Sequence, residues 1–269
     1  MKDNIKAIFI EAGHGLSNNG NRDPGAVANW IVEREVVIDV ARRLWAQLSP
    51  FQGKVKIYLI GVEEELNIPQ KISQINEICQ RKGYNHDNSL LLSLHVNAWG
   101  GTGHETFIWK QNEARTMGVN KIVNEPIATD ISNAILNDLS NTFTGLRNRG
   151  VKGQASVRFG RLGIVVETTP LTILVELAFL DSPIEKELNM LRTARFLFAD
   201  SLFTSLVNYF DLRVIKKEEK SFDAILNVFY NAIKELQELD LDSKSRGLRK
   251  PLVWILDKIV KIILTRRNK

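Results

Sequence analysis

The 269-residue sequence predicts an α/β domain with a mostly parallel central sheet of about six strands flanked by helices, followed by a C-terminal helical appendage. Three observations predict it. Short apolar runs recur along the chain, segments with helical periodicity lie between them, and the pattern and charge change after residue 211.

The strands come first. Ile5–Ile10, Val55–Ile60, Leu90–Val96, Thr106–Trp109, Leu162–Val166 and Thr172–Leu177 are short and almost uniformly apolar, as strands covered on both faces are. The first helix follows from Val37, Val40, Ala41, Leu44, Trp45 and Leu48, whose spacing makes one apolar stripe. Further helices are expected over residues 69–81 and 127–139. Ser182-Pro183-Ile184-Glu185 reads as an N-cap, a proline at N1 and an acidic N3, opening a helix that runs to about Phe210. Strands alternating with helices give the α/β class.

Charge divides the chain. Residues 1–211 hold 22 Lys/Arg against 23 Asp/Glu, whereas residues 212–269 hold 14 against 8. A near-neutral body argues against a nucleic-acid-binding catalytic surface, which would cluster its cations on one face. Two domains are therefore expected, 1–211 and 212–269. In the second, Phe222, Ile225, Leu226, Phe229, Ile233 and Leu236 predict a helix over 222–239, and residues 252–267 predict another after Gly247 and Pro251. This appendage has three readings: packing on the domain, dimerisation, or binding an anionic wall polymer or membrane surface through Lys258, Lys261, Arg266, Arg267 and Lys269. A single cysteine, Cys79, excludes an intramolecular disulfide framework and is expected to pack in the core. No stretch reaches the ~18 apolar residues of a spanning helix. The apolar start is shorter than the ~7–15 residues of a signal-peptide core, so no export signal is expected.

Two polar residues interrupt apolar strands: His95 after LLLSL, and Glu176 within ILVELAFL. An isolated buried carboxylate costs several kcal/mol, so Glu176 must be neutral, paired or near a metal. Each residue alone has an ordinary structural explanation. His14 changes the weighing, because Glu11-Ala12-Gly13-His14-Gly15 directly follows the strand IKAIFI. Open α/β sheets gather ligands at the carboxyl ends of their strands. His14, His95 and Glu176 stand at or near such ends, and Glu33 opens the first helix at the same rim. Two histidines with one or two glutamates suit a zinc site that keeps an open position. His86 and His104 sit in a polar loop and beside a turn, and are read as structural. Arg147 and Arg149 read as solvated loop arginines, or as contacts for substrate carboxylates.

The blocks AIFIEAGHG, DPGAV, VERE, LLLSLHVNAW, GTGHETFIW, GLRNRGVK and PLTILVELAFLDSP, in this order, resemble the zinc-dependent N-acetylmuramoyl-L-alanine amidases of the AmiC/CwlV type over about residues 5–211. The resemblance implies one Zn2+ per chain and hydrolysis of the amide between N-acetylmuramic acid and L-alanine in peptidoglycan. It implies His14, Glu33 and His95 as metal ligands and Glu176 as the catalytic carboxylate. Glu35 is the alternative to Glu33, but lies about 200° around the helix from it. Asn97 either binds substrate or closes a strand-end turn. Glu11 and Lys71 stand where the family usually has Asp and Arg, Leu16 replaces a second glycine, and the usual Thr-Arg-x-x-Asp segment gives way to Ile60-Gly61-Val62-Glu63-Glu64-Glu65. Two other functions remain open: a non-catalytic peptidoglycan-binding module of this fold, and a zinc peptidase cutting another amide. With no leader visible, a phage-encoded endolysin or a chain with its leader removed is expected.

Overall fold

The computed structural model describes residues 1–116, 124–154 and 161–212. The expected appendage, with its helices at 222–239 and 252–267 and its basic residues from Lys258 to Lys269, lies outside them.

A six-stranded sheet organises the domain in the order β6-β1-β7-β10-β8-β9. Its members are β1 (Ala7–Ala12), β6 (Lys56–Ile60), β7 (Ser89–Asn97), β8 (His104–Ile108), β9 (Asn148–Gly153) and β10 (Leu171–Phe179). The four strands β6, β1, β7 and β10 are parallel, and β8 joins β10 antiparallel with β9 parallel to β8. Two small hairpins, β2 (Gly15–Leu16) with β3 (Arg22–Asp23) and β4 (Val27–Ala28) with β5 (Ile31–Val32), fill the connection after β1.

Both faces of the sheet are covered, which is why the strands read as continuous apolar runs. On one face α1 (Glu33–Leu48), α4 (Glu125–Thr142) and α7 (Arg195–Tyr209) bury Val40, Leu44, Ile131, Ile135, Phe198 and Leu202 against Ile8, Ile10, Leu92, Leu94, Ile173 and Val175. On the other, α2 (Ile68–Lys82) and α5 (Gly163–Glu167) bury Ile72, Ile75, Cys79, Ile164 and Val165 against Phe9, Leu91 and Leu174. Cys79 is a core residue, its thiol pushed up to about 12 by burial. The capping of α2 is complete: Asn67 and Gln70 exchange side-chain-to-backbone hydrogen bonds at its start, and Gly83 closes it at φ 68°. A short α3 (Gln111–Thr116) follows β8, and α6 (Glu185–Thr193) precedes α7. No described helix is long and apolar enough to cross a membrane.

Three expectations need correction. Leu162–Val166 is not a strand but enters α5, because a short apolar run beside a glycine packs equally well as a helical turn, here against α2. The sixth strand is instead Asn148–Gly153, an edge strand with too little apolar surface to show in the sequence. The helix expected from Ser182 to Phe210 is two helices, broken at Ala194, whose φ −122° and ψ 32° are not helical. Ser182 is not its N-cap: α6 starts at Glu185, and the Ser182 hydroxyl accepts from the Ile184 N–H and donates to Glu187.

Candidate metal centre and active site

The sheet register assembles the site. Glu176 of β10 is paired in register with His95 of β7, and the Gly13 N–H just beyond β1 donates to the Leu94 carbonyl. His14 therefore leaves β1 at the level where β7 presents His95. Glu33, the first residue of α1, enters from above the strand ends, its N–H donating to the Ala26 carbonyl.

The three meet. Ligand-capable atoms of His14, Glu33 and His95 all lie within 4.8 Å of one another. Glu33 spans the two imidazoles: Oε2 is 3.0 Å from His14 Nε2, and Oε1 is 3.0 Å from His95 Nδ1. The same oxygens accept from the Ala26 and Val96 N–H groups at 2.9 and 3.0 Å, which fixes the carboxylate plane. Glu35 is exposed on the far side of α1 and takes no part. Behind His14, Asp23 Oδ2 lies 3.0 Å from Nδ1, an outer partner that orients the ring.

Backbone geometry makes the cluster tight. His14 sits at φ 64°, a left-handed conformation uncommon for non-glycine residues. It is held there by two buried cations. Arg34 donates to the Ala12 and Gly13 carbonyls at 3.2 and 3.1 Å, and Lys71 donates to the Ala12 and His14 carbonyls at 2.6 and 2.5 Å. Gly25, at φ 71°, has no room for a side chain: a Cβ would stand 2.6 Å from His14 Cδ2 and 2.7 Å from Glu33 Oε2.

The carboxylates and imidazoles of the cluster stabilise one another's charge. Burial pulls the His14 imidazole down, yet the Glu33 and Asp23 carboxylates prevail and raise it to about 8. Burial likewise opposes the charge on Glu33, but hydrogen bonds from His14 and His95 hold it well below the usual range. Two imidazoles and one preorganised carboxylate are the donor set of a three-ligand zinc site, and the close approach of their atoms fits one ion.

Glu176 stands apart from that set. It lines the same cleft, of about 690 Å³, with His14, Glu33, His95, Asn97, Trp99, Glu105, Arg149 and Lys152. Its Oε2 is buried without a hydrogen-bond partner among the described residues. Burial first, then the fields of Glu33 and Glu105, push its carboxyl well above the ordinary range, with Lys152 opposing.

Sequence reasoning missed the cleft's second charged group. Glu105 of β8, paired in register with Glu176, is buried and accepts from Arg149 Nε and Lys152 Nζ, each at 2.5 Å. It also accepts from Asn97 Nδ2 at 2.8 Å. Arg149 is thus not a solvated loop residue but belongs to β9, over the Phe179 ring at 4.9 Å, whereas Arg147 is exposed. The one available signal was the charge in GTGHETF, since a strand carrying Glu105 beside the Glu176 strand demands countercharge. His104 is structural as expected, fully buried with Nε2 2.9 Å from the Ser140 hydroxyl.

Fold and donor set define a class: an open α/β sheet whose carboxyl edge carries a cleft with two histidines and one glutamate placed so that they could hold a metal ion. The family model described as N-acetylmuramoyl-L-alanine amidase matches residues 8–208, and the chain belongs to that family. It is 26% identical over 215 residues to an uncharacterised cell wall amidase of Bacillus anthracis, covering 77% of this chain and 36% of that one. It is 30% identical over 110 residues to a sporulation-specific N-acetylmuramoyl-L-alanine amidase of Bacillus subtilis, covering 40% and 38%. The chain thus spans well under half the length of these curated relatives. Among solved structures, the catalytic domain of CwlV from Bacillus (Paenibacillus) polymyxa var. colistinus matches with a TM-score of 0.56 at 21% identity, over 78% of this chain and 100% of that one. An N-acetylmuramoyl-L-alanine amidase of Clostridium difficile 630 matches with a TM-score of 0.56 at 19% identity, over 77% and 98%. Likeness at these identities shows a shared fold.

Proposed function

We propose that this chain is a zinc-dependent hydrolase of the amide joining the lactyl group of N-acetylmuramic acid to L-alanine in peptidoglycan. The observation that carries this reading is the convergence of His14, Glu33 and His95 in one cleft with Glu176, whose buried Oε2 has no hydrogen-bond partner among the described residues. His14, Glu33 and His95 would hold the ion, with Asp23 steadying His14. A bound zinc supplies Lewis acidity, polarising the scissile carbonyl and lowering the pKa of a bound water to about 7.

The protein's own groups do the rest. Glu176 takes a proton from the attacking water as the oxygen bonds to the carbonyl carbon. It returns that proton to the leaving alanine nitrogen as the C–N bond breaks, giving a free carboxylate and a free amine. Among the described residues no hydrogen-bond donor occupies Oε2, which leaves its lone pairs available for both transfers. Asn97 spends one amide proton on Glu105 and accepts from the Ala98 N–H, so its second proton can bind a substrate carbonyl.

Digestion of purified peptidoglycan by the zinc-loaded chain tests the reading. New lactyl carboxyls with N-terminal alanines are expected, abolished by a chelator and restored by zinc. New termini elsewhere in the stem would make it a peptidase, and binding without new termini would make it a recognition module.

A further inference from the structure

Two exposed tryptophans occupy backbone conformations that suit glycine. In the β4–β5 hairpin Val27 pairs with Val32 and Ala28 with Ile31, leaving Asn29-Trp30 as a two-residue loop. Its φ values, 52° and 60°, are both positive, which marks a type I′ turn, and such turns favour Asn followed by Gly. Trp30 takes the glycine place and is 100% exposed, so burial does not offset the strain. Trp99, after β7, has φ 83° and is 73% exposed. The other described non-glycine residues with positive φ are His14, at the metal cluster, and Asn29 and Asp211, residue types that tolerate it. Bulky residues pay most for this conformation and persist there when their side chains are used.

Both loops are pinned to consecutive residues beside the cleft. The Trp99 and Gly100 N–H groups donate to Asp181 Oδ2 at 2.7 and 2.8 Å, and Asn29 Nδ2 donates to the Leu180 carbonyl at 3.0 Å. Arg192 donates to the Asn29 carbonyl at 3.1 Å, bracing the hairpin from its other side. Trp99 lines the cleft that holds the metal cluster and Glu176. The same cleft also carries Arg149 and Lys152, two cations against the one Glu105 carboxylate. N-acetylated sugars are neutral and present C–H faces, which aromatic rings bind through their negative π-surface.

We propose that Trp30 and Trp99 form a sugar-binding platform that seats the N-acetylated glycan strand of peptidoglycan beside the cleft. This rests on the amidase reading for its substrate, and its test does not depend on cleavage. The full chain is titrated with the hexasaccharide of N-acetylglucosamine by calorimetry. Trp30→Gly weakens binding by about fivefold, the value of one aromatic contact, and the Trp30→Gly/Trp99→Gly pair weakens it further. Trp30→Tyr keeps most of the affinity. Trp30→Gly also melts no lower than the parent, because glycine relieves the turn. Failure of the parent chain to bind the hexasaccharide, or equal binding by the double variant, overturns the platform. So does a matching loss of affinity for a sugar-free stem peptide, which would make the tryptophans a peptide contact. A lower melting temperature for Trp30→Gly overturns the strain argument. A chain that cleaves nothing yet binds the hexasaccharide through these residues refutes the amidase reading and leaves the platform standing.

Discussion

Two glutamates stand on the strands that flank β7 in one sheet, and their surroundings differ in kind. Glu11 of β1 is enclosed and fully partnered: Oε1 accepts from Lys71 Nζ at 2.6 Å and Oε2 from the Ser93 hydroxyl at 2.5 Å. Burial would raise its carboxyl, but Lys71 and His95 hold it below the ordinary range. Glu176 lines an open cleft, has a buried oxygen without a described partner, and is pushed the other way. A satisfied buried charge is costly to strand, whereas a buried carboxyl with an unsatisfied oxygen in a cleft is a candidate for proton transfer. The contrast also reassigns Glu11 and Lys71. These departures from the family pattern do not line the cleft; Lys71 holds the Ala12 and His14 carbonyls, and Glu11 is its counter-ion.

Substitutions can break this contrast, and the largest effect is expected at the open carboxylate. Glu176→Gln should lower turnover by about 10²–10⁴-fold while bound zinc and melting temperature hold. Unchanged turnover would remove Glu176 from the chemistry. At the closed pair, Lys71→Ala should cost about 3–5 kcal/mol in denaturant unfolding by stranding Glu11, and Glu11→Gln/Lys71→Met should recover much of it. Two independent, additive losses would show that the pair is not coupled.

A third effect is pH-dependent. His104 is neutral in the folded protein down to about 4, because burial outweighs the Leu136 carbonyl, whereas unfolded histidine titrates near 6.5. The unfolded state therefore binds a proton first as pH falls, and about 3 kcal/mol of stability should be lost between those two values. His104→Gln should flatten that part of the pH–stability curve; an unchanged slope would assign the acid sensitivity elsewhere. The smallest effect concerns the outer partner. Asp23→Ala should weaken zinc binding by about 10–100-fold, read by competition with a chromophoric chelator. Full affinity would leave the His14–Asp23 contact a loop tether only.

Legibility followed periodicity and burial. The four parallel strands and α1 showed because both-sided burial makes a strand apolar throughout and one-sided burial gives a helix its stripe. Polar residues inside such runs were equally visible, so His95 and Glu176 stood out, as did His14 at the end of β1. Asn148–Gly153 did not, since an edge strand buries little, and Ala194 did not, since alanine is the best helix former and nothing local marks a break there.

The sequence by itself thus determined which residues carry polarity into the core and where each strand surrenders its chain to a loop. Only the tertiary structure decided that Glu33 rather than Glu35 faces the histidines, that Glu105 pairs with Arg149 and Lys152, and that Glu11 is spent on Lys71 while one Glu176 oxygen has no hydrogen-bond partner among the described residues. The reason is range. Burial patterns are set by neighbours a few residues apart, but a carboxylate's partners come from elements up to dozens of residues away, and the register of the sheet chooses them.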